Sequence, residues 1–201
     1  MCNKAQRHPL ATLILQTPGE LAADHVPLLL RGDAAPQGRL VGHVARANPL
    51  WRKAGADGID CLVIFQGPQG YISPNGYATK QEHGKVVPTW NYDVVHVQGR
   101  LRAVDDALWL RGLLDELTAT HEADQPRPWA PADAPADYLA RMLQAVVGIE
   151  IEILGLTGKA KLSQNQPAVN QQSLIQALQA RGDAASSSMA QAIQARVAGE
   201  I

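Results

Sequence analysis

The stretch GKVVPTWNYDVVHVQGRL, Gly84 to Leu101, alternates cleanly past Asp93: Val95, Val97, Leu101 and Ala103 fall on one side, His96, Gln98, Arg100 and Arg102 on the other. A period of two marks a half-buried β-strand. Ahead of that point stand Pro88, Thr89, Trp90, Asn91 and Tyr92, a dense mixture of aromatic and hydrogen-bonding groups. The large side chains Trp90, Tyr92 and Val94 occupy even positions, whereas Val95 and Val97 occupy odd ones. VGIEIEILGLTGKAKL (Val147 to Leu162) repeats the slip, with Ile149, Ile151 and Ile153 odd, then Leu154 and Leu156 even. Because strand side chains alternate faces, such a slip predicts a bulge or sharp bend in each strand. Long, bent antiparallel strands are what a small closed barrel needs, so a barrel is favoured over a flat sheet. A sandwich with corner bulges would give the same pattern.

Working outward, the segment up to residue 104 reads as strands and turns. LATLIL (Leu10 to Leu15), LAADHVPLLLRG (Leu21 to Gly32) and GRLVGHVARA (Gly38 to Ala47) are strand-like, the last two separated by the turn-forming DAAPQG. ANPLWRKAG suggests a short helix or turn, and IDCLVIF and GYIS are strands separated by a turn at Gly67 and Pro68. DDALWLRGLLDELTATHE changes period: Leu110, Leu113, Leu114 and Leu117 mark one helical face, and Asp105 and Asp106 suit its positive end. A Pro-rich connector follows, then a helix from Ala136 to Val146. Two more helices are predicted after the last strand. One starts at Pro167 and stops at Gly182, with Val169, Leu174, Ile175 and Leu178 facing inward. The other carries Met189, Ile193 and Val197 in a stripe.

At 201 residues, with 46% hydrophobic residues and a formal charge of -1, the chain can bury a proper core and is not built as a disordered tail. No run has the length of a membrane helix, and MCNKAQRHPL has no signal-peptide character, so a cytoplasmic protein is expected. The near-neutral balance argues against an extended basic face for duplex DNA. Cys2 and Cys61 give no zinc framework, and Cys61 inside IDCLVIF reads as a small buried apolar residue. The six histidines never show metal-ligand spacing, no nucleophile comes with a recognisable base, and no catalytic side chain or metal site is expected.

Six of the nine aromatics, Trp51, Phe65, Tyr71, Tyr77, Trp90 and Tyr92, lie between residues 51 and 92, together with Ser73, Asn75, Lys80, Lys85, Thr89 and Asn91. Flat apolar surfaces, amide and hydroxyl groups and positive charges suit a planar heteroaromatic ligand carrying a phosphate. A barrel core whose aromatics cluster, with lysines on its rim, would look the same.

GHVARANPLW (Gly42 to Trp51), GPQGYISPNGYATK (Gly67 to Lys80), GKVVPTWNYDVVHVQG (Gly84 to Gly99) and GKAKLSQNQP (Gly158 to Pro167) resemble, in order, the successive motifs of the PaiB-type negative transcriptional regulators. That family is similar to the FMN-binding split-barrel flavoproteins, usually homodimers with the flavin at the subunit interface. The resemblance implies a mainly β fold with flanking α: a split β-barrel of the FMN-binding type with C-terminal helices. The barrel domain would cover 1–163, with helices inserted at about 105–146, and a helical extension, 164–201, would pack on it. It also implies FMN as the planar ligand. Carried over motif by motif, it offers His43, Arg46 and Asn48, with Arg46 as phosphate partner; Ser73 and Lys80; Thr89, Trp90, Asn91 and Tyr92; and Lys161, Gln164 and Asn165. Gly76 and Ala160 stand where the family commonly carries an aromatic.

Three functions remain open at this level. The leading one is a dimeric FMN-binding regulator with weak or indirect DNA association. The second is a flavin-dependent oxidoreductase acting on a small molecule, in which the flavin does the redox chemistry. The third is a split-barrel relic without cofactor that mediates protein contacts.

Overall fold

The computed structural model describes residues 2–32, 37–55 and 57–199. In chain order the elements are α1 (Cys2–Arg7), β1 (Leu10–Thr17), β2 (Glu20–Pro27), β3 (Leu29–Arg31), β4 (Arg39–Ala45), α2 (Leu50–Lys53), β5 (Ile59–Ile72), α3 (Lys80–His83), β6 (Thr89–Val104), α4 (Ala107–Glu122), α5 (Ala136–Gln144), β7 (Val146–Lys161), α6 (Ala168–Gln179) and α7 (Ala184–Val197). Asp33 to Pro36 of the expected DAAPQG turn lie outside the described residues. The strands form one seven-stranded sheet in the order β2-β1-β5-β6-β7-β4-β3. β1 pairs antiparallel with β2 and β5, and β4 with β3 and β7. The chain divides into two compact units, residues 1–65 with 96–157, and residues 66–95 with 158–201.

In the first unit the two ends of the strand order meet. A Cβ on Gly42 of β4 would lie 2.7 Å from the carbonyl oxygen of Pro27, the last residue of β2, and 2.7 Å from Leu28 Cδ2. Only glycine allows that approach, which curls the sheet into the expected barrel. Leu13, Leu15, Val63, Phe65, Leu101, Ile149 and Ile151 are buried in this unit. Outside the sheet, Leu29 and Val41 pack with Leu113 and Leu117 of α4, and Trp109 and Leu114 lie against that cluster. Asp106 caps α4 by accepting from the Trp109 N–H at 2.7 Å, as the acidic start of the helix predicts. Burial pushes the Cys61 thiol up to about 12, which leaves it inert as a nucleophile.

The phase slips have a different cause from the one expected. Asn91, Asp93, Val95, Val97, Gly99 and Leu101 are all buried, so β6 keeps one face inward throughout. Trp90 and Tyr92 are apolar groups on its outer face, and Leu154 and Leu156 of β7 are likewise exposed. The face change occurs instead in β5, which runs unbroken through Gly67 and Pro68 where a turn was expected: Cys61, Val63 and Phe65 are buried before that point and Ile72 after it. Val169 and Val197, expected to face inward, are exposed.

The second unit has its own core. Ile72, Tyr77 and Leu162 pack with Leu174, Ile175 and Leu178 of α6 and Met189, Ala190 and Ile193 of α7. The C-terminal helices thus share a core with the segment that follows β5.

His43 points to the same side of β4 as Val41, the side that α4 covers. Its Nδ1 is buried without a hydrogen-bond partner among the described residues, and burial holds the imidazole pKa below its ordinary value. Native His43 is therefore neutral where the unfolded chain takes up a proton. Stability is complete above about pH 6.5 and falls as pH drops through the interval down to the native pKa. His43→Gln is expected to flatten that slope in urea midpoints measured from about pH 8 to pH 5; a parent and variant with parallel profiles would show that His43 titrates normally.

Candidate functional site

The motif GHVARANPLW is an internal brace of the first unit. Arg46 donates from Nη1 and Nη2 to the two carboxylate oxygens of Asp105 at 2.8 and 2.6 Å, from Nε to the Gln144 carbonyl at 2.6 Å, and from Nη2 to the Val146 carbonyl at 3.0 Å. Four of its five N–H donors are thereby engaged, and the pair holds the Arg46 pKa up and the Asp105 pKa down. The Arg46 carbonyl accepts from Trp51 Nε1 at 3.0 Å. Asn48 accepts from the Leu50 N–H at 2.8 Å and donates to Asp24. Arg46→Ala is expected to lower the melting temperature and leave flavin uptake unchanged. A selective loss of flavin affinity at parental stability would instead make Arg46 a ligand contact.

The remaining candidates lie in the second unit. Ser73 begins the 3-10 turn Pro74–Gly76 by accepting from the Asn75 N–H at 3.2 Å. Lys80 donates to Asn75 Oδ1. Between this segment and α6 lies an open cavity of about 390 Å³, lined in part by Asn75, Gly76, Lys80, Ser173 and Ala177. The small side of Gly76 faces Leu174 and Ala177. The segment is stapled to α6 by residues that spacing did not flag. Asn170 accepts from the Thr79 N–H at 3.1 Å and donates to Thr79 Oγ1 at 2.9 Å. Ser173 accepts from the Ala78 N–H at 3.0 Å and donates to the Gly76 carbonyl at 2.9 Å. The signal available in the sequence was a pair of polar residues three apart on a helical face otherwise filled by Leu174 and Leu178.

The strand TWNY has two distinct faces. Inward, Asn91 is fully buried and donates to Ser163 Oγ at 2.9 Å, while its Oδ1 has no partner among the described residues. Ser163 takes a left-handed conformation, φ 59°, a strain that surrounding contacts must hold in place. Outward, Trp90 is 51% and Tyr71 46% exposed, with their rings edge to face at 6.4 Å between centroids. Trp90 Nε1 donates to Gln69 at 3.2 Å. Tyr92 shares the Trp90 face, and the Lys159 ammonium lies 5.6 Å from its ring centre. Lys161 donates to Thr89 Oγ1 at 2.6 Å. Gln164 closes the turn after β7 by accepting from the Leu162 N–H at 2.7 Å and donating to the Ala160 carbonyl at 2.6 Å. Asn165 is exposed. Tyr71, noted in the sequence only as one of the clustered aromatics, completes the arrangement with Gln69, Lys159 and Ser163, which were not predicted.

A strip of aromatic rings, Tyr71 and Trp90 exposed and Tyr92 half-buried, with lysines beside it and a cavity holding a further lysine in the same unit, fits a flat ring with an anionic tail. The fold and this donor set define the class as a flavin-binding split barrel. The sequence matches the family model described as "Putative FMN-binding domain" over residues 1–154. It is 31% identical over 182 residues to the "Protease synthase and sporulation protein PAI 2" of Bacillus subtilis, covering 88% of this chain and 82% of that one. The chain belongs to the PaiB-type family of FMN-binding proteins. Among solved structures, the FAD and heme binding protein from Mycobacterium smegmatis superposes with a TM-score of 0.55 at 20% identity, over 80% of this chain and 69% of that one. The flavocytochrome Anf3 from Azotobacter vinelandii gives 0.51 at 17%, over 79% and 64%. At these identities they share the fold.

Proposed function

We propose that this chain is a cytoplasmic homodimer that holds FMN on the Tyr71–Trp90–Tyr92 face and acts as a negative regulator of transcription through the state of that flavin. The observation that carries the reading is the exposed aromatic strip bordered by cations. Two large rings left half in water have no role in a monomer's core, and both a flat ligand and a second copy would cover them. In this reading Trp90 and Tyr92 receive the ring, and Lys80 and Lys161, with Ser73 and Thr89 beside them, supply charge and hydrogen bonds for the phosphate. Asn91 and Gln164 shape the strand ends, Asn165 adds an exposed amide, and His43, Arg46 and Asn48 brace the barrel. The flavin, when bound, supplies electron transfer that no side chain of the protein can perform. Purified protein is expected to show a flavin absorption band, or to quench FMN fluorescence on titration, and to run as a dimer by light scattering. A colourless protein that leaves excess FMN fluorescence unquenched would remove the reading.

A second reading, flavin-dependent oxidoreductase, is favoured by the pairing of the arginines. Arg31, Arg39, Arg46, Arg100, Arg102, Arg111 and Arg141 are each bound to a carboxylate, so their charge is not displayed to a phosphate backbone. Binding to duplex DNA is then weak or indirect. Steady oxidation of reduced nicotinamide cofactor by the FMN-loaded protein separates an enzyme from a sensor that turns over once. No described helix is long and apolar enough to cross a membrane.

A further inference from the structure

Lys159 closes the aromatic strip. Its ammonium lies 5.6 Å from the centre of the Tyr92 ring, and it is exposed, with no carboxylate paired to it among the described residues. The neighbouring Tyr92 side chain raises the Lys159 pKa above its ordinary value. An ammonium beside a phenol places a positive charge and an O–H donor side by side at one end of the strip. Lys161, two residues further along β7, is placed differently: its Nζ donates to Thr89 Oγ1 at the strand end.

We propose that Tyr92 and Lys159 together read the ring of the flavin rather than its phosphate, and that they favour the reduced ring over the oxidised one. The proposal rests on the FMN reading above. Its chemistry follows from charge. The oxidised ring is neutral, with carbonyl and nitrogen acceptors and one imide N–H donor. Two electrons and one proton from an external reductant leave it with a negative charge, which a neighbouring ammonium and an O–H donor stabilise far more than they stabilise the neutral form. Tyr92 and Lys159 are positioning groups in this scheme, and neither gains nor loses a covalent bond.

The test is the midpoint potential of bound flavin, measured against a reference dye during reduction with dithionite, in the parent, K159Q, K159R, Y92F and K161Q. Loss of one charge-assisted contact is expected to weaken reduced flavin relative to oxidised flavin about tenfold, which lowers the potential by about 30 mV for a two-electron couple. K159Q should show that drop at the parent's melting temperature, Y92F should shift in the same direction, and K159R should recover the parental value. K161Q should leave the potential alone and weaken FMN more than riboflavin. A K159Q protein with parental potential overturns the proposal and leaves FMN binding standing; should K159Q fail to fold, a parental potential in Y92F overturns it equally. A parent that takes up neither FMN nor riboflavin overturns the FMN reading and the proposal with it.

Discussion

Trp90→Ala is expected to weaken FMN binding by about 30-fold without changing thermal unfolding. Stacking a heteroaromatic ring on one exposed aromatic side chain contributes roughly 1–3 kcal/mol, and a value near the middle of that range corresponds to this factor. The fold has little stake in the ring, which is half exposed. What anchors it is one hydrogen bond to Gln69 at 3.2 Å and an edge contact with Tyr71, and such partially solvated contacts contribute modestly. The separation of the two effects is the diagnostic part. A core aromatic would lose about 3–5 kcal/mol of stability on truncation, and flavin affinity would follow only through unfolding. Trp90→Phe, which keeps a flat face and loses the Nε1 donor, should retain most of the affinity. Flavin titrations that superimpose for parent and Trp90→Ala would remove Trp90 from the site.

Element types are legible in the sequence because they rest on local pattern: period two in β6 and β7, the apolar run of β1, and the helical stripe of Leu110, Leu113 and Leu117 in α4. The barrel is legible for the wrong reason. The slip at Trp90 and Tyr92 implies a bulge only on the premise that large apolar side chains face inward, whereas here the buried side of β6 begins with Asn91 and Asp93. That inversion, polar in and aromatic out, is itself the mark of a surface built to be covered by something else. Gly67 and Pro68 have the composition of a turn, yet β5 passes through them and uses the position to change its buried face. The bracing by Arg46 is hidden from the sequence for another reason. The carboxylate that engages it lies 59 residues away at Asp105, and Thr79 meets Asn170 across 91 residues. No spacing rule along the chain reports contacts of that separation, so which polar residues are left for a ligand emerges only after the fold has used the rest.

The docking of α4 gives the second large effect. Gly148→Ala is expected to destabilise the protein by about 2–3 kcal/mol, the upper part of the range for overpacking a well-filled site. A Cβ there would lie 2.3 Å from Cζ3 and 2.9 Å from Cε3 of Trp109, and 2.9 Å from the Val104 carbonyl oxygen. The indole cannot simply step aside. The Trp109 backbone N–H is capped by the Asp106 carboxylate at 2.7 Å, which fixes where the ring leaves the helix, and the Arg31 guanidinium lies 5.6 Å from the ring centre while its Nε donates to Glu116 at 2.8 Å. Opposite Gly148 on β4 is His43, so a shift of the helix would also open the buried Nδ1 of the imidazole to water. Trp109→Leu in the same chain should recover part of the loss, because it removes the ring and leaves only the contact with the Val104 carbonyl. A double-mutant cycle read from urea midpoints measures that recovery directly. If Gly148→Ala unfolds at the parental midpoint, the first turn of α4 does not press on β7, and the covered face of His43 must be explained by some other element.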